Sequence, residues 1–379
     1  MPRMSHRIAL FALTFFVITL IIGCSSSTSD NLSETLTTNK VIVKPLTEYT
    51  PQEGDLELIQ NIRKHKDPEK ELHEIYYDLT VIDIHNHDAV NQNAVNKWKQ
   101  FGIDRIVLFG NISEPSAQTT DQLAWIQYQK DPSHIYPSFA GFPIYEEEGL
   151  SIVKEKLEQG YLNIGEVAAA SIYSPVVSKL EWKAEHPNDG NLPQIYDLAA
   201  KYHTPILLHI DPPNGTPIMY LEEALEQHPD TIIIFGHANA YNSPSNIETL
   251  LAKHPNLYID FFAGFTAYNN ESTNTLEDFV PLIEQYPDKF MISTDSGYGL
   301  STEQAANALY EIIDLLSPET ALKVAYQNYE RLVELEPPTD YQIETIKELS
   351  TSLEKFETYH LNKRMANELI FELTKSTER

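Results

Sequence analysis

Eight short apolar runs recur along the middle of this chain, and their regular spacing restricts the fold more than any other feature. They occupy residues 81–87, 103–110, 135–140, 162–168, 206–210, 232–237, 257–262 and 290–295. Most are continuously apolar instead of alternating, which is the pattern of parallel strands covered on both faces. The segments between them, such as 193–202 and 247–254, carry apolar residues at helical spacing. Several end in His228-Pro229-Asp230, His254-Pro255-Asn256 or Tyr286-Pro287-Asp288, because proline cannot continue a helix and restricts the residue before it. Eight such strand–helix units predict an α/β fold, a (β/α)8 TIM barrel over residues 80–335. Successive strand ends lie about 25 to 30 residues apart, except after the fourth, where the interval is roughly 40. The surplus, around 171–192, falls in a βα loop at the catalytic face and predicts a lid or specificity loop.

The flanks read differently. Residues 1–23 carry Arg3 and Arg7, then an apolar stretch over 8–22 of 15 residues, shorter than the roughly 20 needed to span a bilayer as a helix. Ile21-Ile22-Gly23-Cys24 resembles the bacterial lipobox, so Cys24 is the expected lipidation site after cleavage of a lipoprotein signal peptide. Lipidation would tether the protein to a membrane of the cell envelope, with the outer membrane facing the periplasm as the expected location. Residues 24–51 are rich in Ser and Thr and predict a flexible tether. Residues 52–79 predict two short helices broken at Asp67-Pro68, and 336–379 a helical, charge-rich extension that would pack outside the barrel or mediate homo-oligomer formation. With 27 basic and 55 acidic residues the formal charge is −28, which repels phosphate backbones and excludes nucleic acid as the expected partner. Cys24 is the one cysteine, so an intrachain disulfide and any multi-thiolate metal site are excluded.

Chemistry must therefore come from His, Asp, Glu or Ser. The first strand ends in Asp83-Ile84-His85-Asn86-His87, and positions i and i+2 of a strand share a face, so His85 and His87 can point together at the barrel mouth. Glu166 lies at the end of the fourth strand, His209 at the fifth, His237 at the sixth and Asp295 at the eighth. Polar residues closing apolar runs are costly to bury without partners, and in a TIM barrel these ends converge on one face. The six are read as a ring of metal ligands for one or two divalent ions, zinc being the expected one; Glu166 could instead bind substrate or hold a ligand histidine. Asp211, Asn239, Ser296 and Tyr298 follow the strand ends and are the candidate substrate-binding residues. No GxSxG, P-loop, HExxH or GxGxxG is present.

The chain from about residue 80 to 335 resembles the amidohydrolase superfamily, metal-dependent hydrolases on a TIM barrel. Its HxH pair matches His85 and His87, its strand-five and strand-six histidines His209 and His237, and its strand-eight aspartate Asp295; Glu166 stands where many members carry a carboxylated lysine. The resemblance implies hydrolysis of an ester, lactone, amide or phosphoester of a small molecule by metal-activated water, with Asp295 and His237 as the catalytic acid–base groups. In that scheme His85 and His87 hold one ion and His209 and His237 the second, with Glu166 and Asp295 between. Two rivals remain open. One is a mononuclear decarboxylase or hydratase with His85, His87, His209 and Asp295 on the metal and His237 as acid or base. The other is a non-catalytic metal-binding lipoprotein.

Overall fold

The computed structural model describes residues 41–350 and 358–377; the leader, Cys24 and the tether up to residue 40 lie outside the described residues. The eight apolar runs form parallel strands β1 (Ile82–Asn86), β2 (Arg105–Leu108), β3 (Ile135–Phe139), β4 (Asn163–Ala170), β5 (Ile206–Ile210), β6 (Ile233–Phe235), β7 (Leu257–Phe262) and β8 (Phe290–Ser293). They pair in sequence order, as a TIM barrel requires, and nearly every strand residue is buried, which accounts for the continuous apolar runs. Two predicted strand ends move. Ladder β6 stops at Phe235 and β8 at Ser293, because His237 and Asp295 adopt left-handed backbone angles, with φ of 34° and 42°. Both side chains therefore leave the ladder and turn over the barrel mouth.

The seam between β8 and β1 is closed differently from the others. A single bridge joins Asn86 to Ser296, and the carboxylate of Asp83 does the rest. It accepts from the backbone N of Thr294 at 2.9 Å and its hydroxyl at 2.6 Å, and from Asn86 Nδ2 at 2.7 Å and His85 N at 3.2 Å. Burial still pushes the Asp83 carboxyl up to about 6 despite those donors. Between β4 and β5 the strands approach so closely that a Cβ on Gly165 would lie 2.6 Å from the carbonyl oxygen of Leu207. Only glycine fits there, at φ 127°, and that close approach brings Glu166 beside His209.

The flanking helices form largely where the apolar spacing put them. Helices Asp55–Lys64 and Leu72–Ile75 lead into the barrel, and the Arg63 guanidinium donates to the carbonyls of Leu316 at 2.7 Å and Ile313 at 2.6 Å, satisfying the C-terminal end of helix Thr302–Leu315. The tether reading of 24–51 fails in its described part: Ile42–Pro45 is a strand, paired in parallel with Thr358–Leu361. That second strand also splits the C-terminal extension into helices Asp340–Leu349 and Lys363–Thr377. A four-residue strand whose partner lies over 300 positions away leaves no local signal. The extension packs outside the barrel. Phe371 meets Trp125 and Tyr128 edge-on at 6.1 and 5.5 Å, and Asn367 donates to the Gly160 carbonyl at 2.9 Å.

Its anchor is a fully buried ion pair, Lys363 with Glu336, which also draws in Thr204 and the Tyr202 carbonyl. Burial raises the glutamate and lowers the lysine from their ordinary values. Lys363→Met should leave the Glu336 carboxylate alone in the core and cost about 3–5 kcal/mol in urea unfolding. Replacing both residues with apolar ones should cost clearly less; a single variant as stable as the parent would show that the pair does not fasten the extension.

Candidate metal centre

All six predicted ligands converge over the C-terminal ends of the strands. They fall into two groups, His85 with His87 and Asp295, and Glu166 with His209 and His237, each close enough to surround one ion. The first group is set by its outer hydrogen bonds. His85 Nδ1 lies 2.8 Å from Asp260 Oδ2, and His87 Nδ1 lies 2.7 Å from the Gly110 carbonyl. A carboxylate and a carbonyl can only accept, so both Nδ1 atoms carry hydrogen. The two Nε2 atoms face each other at 2.9 Å, which in neutral rings sets lone pair against lone pair. Asp295 Oδ1 stands 3.9 Å from His87 Nε2. Such an arrangement calls for positive charge between the donors, which a divalent cation supplies.

The second group repeats the pattern. His209 Nδ1 and His237 Nε2 are 2.9 Å apart, and Glu166 Oε1 lies 2.8 and 3.0 Å from them. The other oxygen of the same carboxylate, Oε2, lies 3.3 Å from both His85 and His87 Nε2. Glu166 thus faces one group with each oxygen. The donor set of imidazoles and carboxylates fits zinc and its neighbours in the first transition row.

Electrostatics agree with a site built for cations. Burial works against a charged His85, but Glu166 and Asp260 outweigh it and hold its pKa well above the usual imidazole range. Burial likewise opposes the Glu166 carboxylate, yet His85 and hydrogen bonds from His209 and His237 keep it well below the glutamate range. For His209, the bonds with Asp211 and Glu166 overcome desolvation and lift it to about 9. The carboxylates thus bias the His85 and His209 imidazoles toward the positively charged form.

Two predicted substrate residues are committed elsewhere. The Asp211 carboxylate accepts from the backbone N of Ile172 at 2.8 Å, Tyr173 at 3.1 Å and Ser174 at 3.0 Å, pinning the start of the long loop, and it lies 3.5 Å from His209 Nε2. Asn239 spends its amide on Phe262 N and O and on Thr266, all at 2.8 Å. Both are positioning residues whose side chains are used up. Ser296 and Tyr298 do line the cavity, and Ser296 Oγ accepts from His87 N at 2.8 Å. The surplus loop also lines it, through Tyr173 to Val177 and Leu180. The sequence reading missed Asp260. Fully buried in β7, it holds both the His85 ring and, at 2.9 Å, the backbone N of His237. A lone aspartate inside Tyr258-Ile259-Asp260-Phe261-Phe262 was the available signal.

No protein-family model and no curated protein matches the chain. Solved structures do. An uncharacterised TIM-barrel protein from Bordetella bronchiseptica is similar with a TM-score of 0.50 at 16% identity, covering 68% of this chain and 99% of that one. An amidohydrolase from Pseudomonas aeruginosa has a TM-score of 0.45 at 11% identity, covering 70% and 99%. A 2,6-dihydroxybenzoate decarboxylase from Rhizobium has a TM-score of 0.45 at 13% identity, covering 67% and 98%. The likeness to the Bordetella protein shows the fold, a TIM barrel.

Asp260→Asn should weaken metal binding roughly 10- to 100-fold, because the His85 ring loses its charged acceptor; unchanged affinity in chelator competition would remove Asp260 from the site. Metal binding must also displace the His209 proton, which is held up to about pH 9. Apparent affinity should therefore rise with pH through about 9, and an affinity that stays constant from pH 7 to 9 would contradict this.

Proposed function

We propose that this chain is a metal-dependent hydrolase of the amidohydrolase superfamily, holding two divalent cations, most simply zinc, and cleaving an ester, lactone, amide or phosphoester bond of a small molecule. The observation that carries the reading is Glu166, one oxygen of which faces His85 and His87 and the other His209 and His237. Ions bound there would supply Lewis acidity toward water and toward the target oxygen. Asp295, half-buried at the mouth and 3.9 Å from His87 Nε2, is the group placed to take a proton from the attacking water and return it to the leaving group. His237, which lines the same cavity, would orient the substrate oxygen or serve as the second acid–base group. Ser296 fixes the backbone of His87 and so the first ligand pair.

A mononuclear decarboxylase would need His209 grouped with His85, His87 and Asp295, leaving His237 free. His209 instead lies against His237 and Glu166. A substrate carboxylate would also need a cation, and no Lys or Arg is among the residues lining the cavity. If Cys24 carries lipid, the barrel would work at the cell envelope, on the periplasmic side of the outer membrane.

The test is metal analysis joined to a hydrolysis screen across the four bond types. Two ions per chain, activity lost on chelation and restored by zinc, and a fall of about 10²- to 10⁴-fold in kcat for Asp295→Asn are the expected results. Hydrolysis untouched by chelator would overturn the mechanism, and one ion per chain with carbon dioxide released would replace it with the rival.

A further inference from the structure

We infer that the aromatic wall of the cavity shared with the candidate metal centre recognises a cationic group, a protonated amine or quaternary ammonium, carried by the substrate. The proposal rests on the hydrolase reading only for which end of the substrate meets the metals. The cavity has a volume of about 710 Å³, ample for a small molecule with two distinct ends. His87, Glu166, His209, His237 and Asp295 of the candidate ligand set line it.

The wall is aromatic and continuous. Tyr173 and Tyr241 have ring centroids 5.8 Å apart, Tyr241 and Phe265 6.0 Å, and Phe265 and Tyr298 5.7 Å. Phe262 closes the row at 5.2 Å from Tyr298. Ring faces carry partial negative charge and attract ammonium groups, most strongly where water is displaced. Two carboxylates, Glu114 and Glu271, line the same cavity. Glu114 accepts from Asn111 Nδ2 and Ser116 Oγ, whereas the Glu271 carboxylate has no hydrogen bond or ion pair among the described residues. Its backbone N is held by Asn269 Oδ1 at 2.9 Å, which fixes the loop that carries it.

The charge balance points one way. Burial first, then the charges of Asp211, Tyr298, Asp295 and Glu271, push the Tyr241 hydroxyl up to about 12. Among the described residues no lysine or arginine lines the cavity. An anionic substituent at this wall would face Glu271 with no basic side chain in the described cavity lining to offset it, and a neutral apolar one would use the rings but not the carboxylate. A cation uses both.

Choline and its neutral isostere 3,3-dimethylbutan-1-ol separate these cases, since they share shape and hydroxyl and differ in charge. Calorimetric titration of each into the metal-loaded full chain should show choline binding about tenfold tighter or more. Glu271→Gln, at an exposed position, should reduce choline affinity at least about threefold and leave the neutral isostere unchanged. Tyr241→Leu should weaken both. Equal or tighter binding of the neutral isostere, or no response of choline to Glu271→Gln, overturns the proposal. The two readings fail separately: a chain that binds no metal yet prefers choline sinks hydrolysis alone, and a chain with two ions and no preference sinks this inference alone.

Discussion

Two imidazole nitrogens that face each other at 2.9 Å, each made a lone pair by the hydrogen bond on the far side of its ring, set the demand that the rest of the site answers. Neutral histidines would not hold that geometry, so positive charge has to sit among them. Glu166, buried and kept ionised by the histidines around it, stabilises that charge on both sides. In the free chain the same carboxylates bias His85 and His209 toward protonated rings. A metal meets the demand better, because one ion uses several lone pairs at once and leaves every imidazole neutral.

The barrel exists around this demand in a specific way. Backbone pairing runs unbroken from β1 to β8 and is thinnest at the seam, where Asp83 ties the first strand to Thr294. That aspartate lies two residues before His85, and Thr294 one before Asp295, so the closure of the fold and the placement of the first ligand group share the same hydrogen bonds. Gly165 lets β4 approach β5 closely enough to set Glu166 against His209. Asp211 then links the second group outward, since it touches His209 and holds the first residues of the loop that walls the cavity. A change in that loop can therefore reach the ligands without touching them.

The sequence makes the barrel and the six candidate ligand positions legible because both rest on local pattern: apolar runs mark strands, and a polar residue closing such a run marks the mouth. What it hides is anything decided by a partner far along the chain. Asp83 and Asp260 sit inside strands, where a carboxylate looks like an exception until Thr294 and His85 are brought to it. Asp211 and Asn239 have the composition of substrate-binding residues, yet backbone groups of the neighbouring loops and strands use up their side chains. Strand Ile42–Pro45 needs Thr358–Leu361 to exist at all. His237 and Asp295 close apolar runs in the sequence, but the strands stop two residues earlier, and the left-handed backbones that turn both residues over the mouth left no mark there.

The central claim, that Glu166 stands between two ions, is tested most directly by a crystal structure of the zinc-loaded protein with anomalous scattering recorded on both sides of the metal edge. Two peaks about 3.5–4 Å apart are expected, one beside His85 and His87, the other beside His209 and His237, with a Glu166 oxygen on each. A single peak held by His85, His87, His209 and Asp295, with Glu166 and His237 uncoordinated, would contradict it.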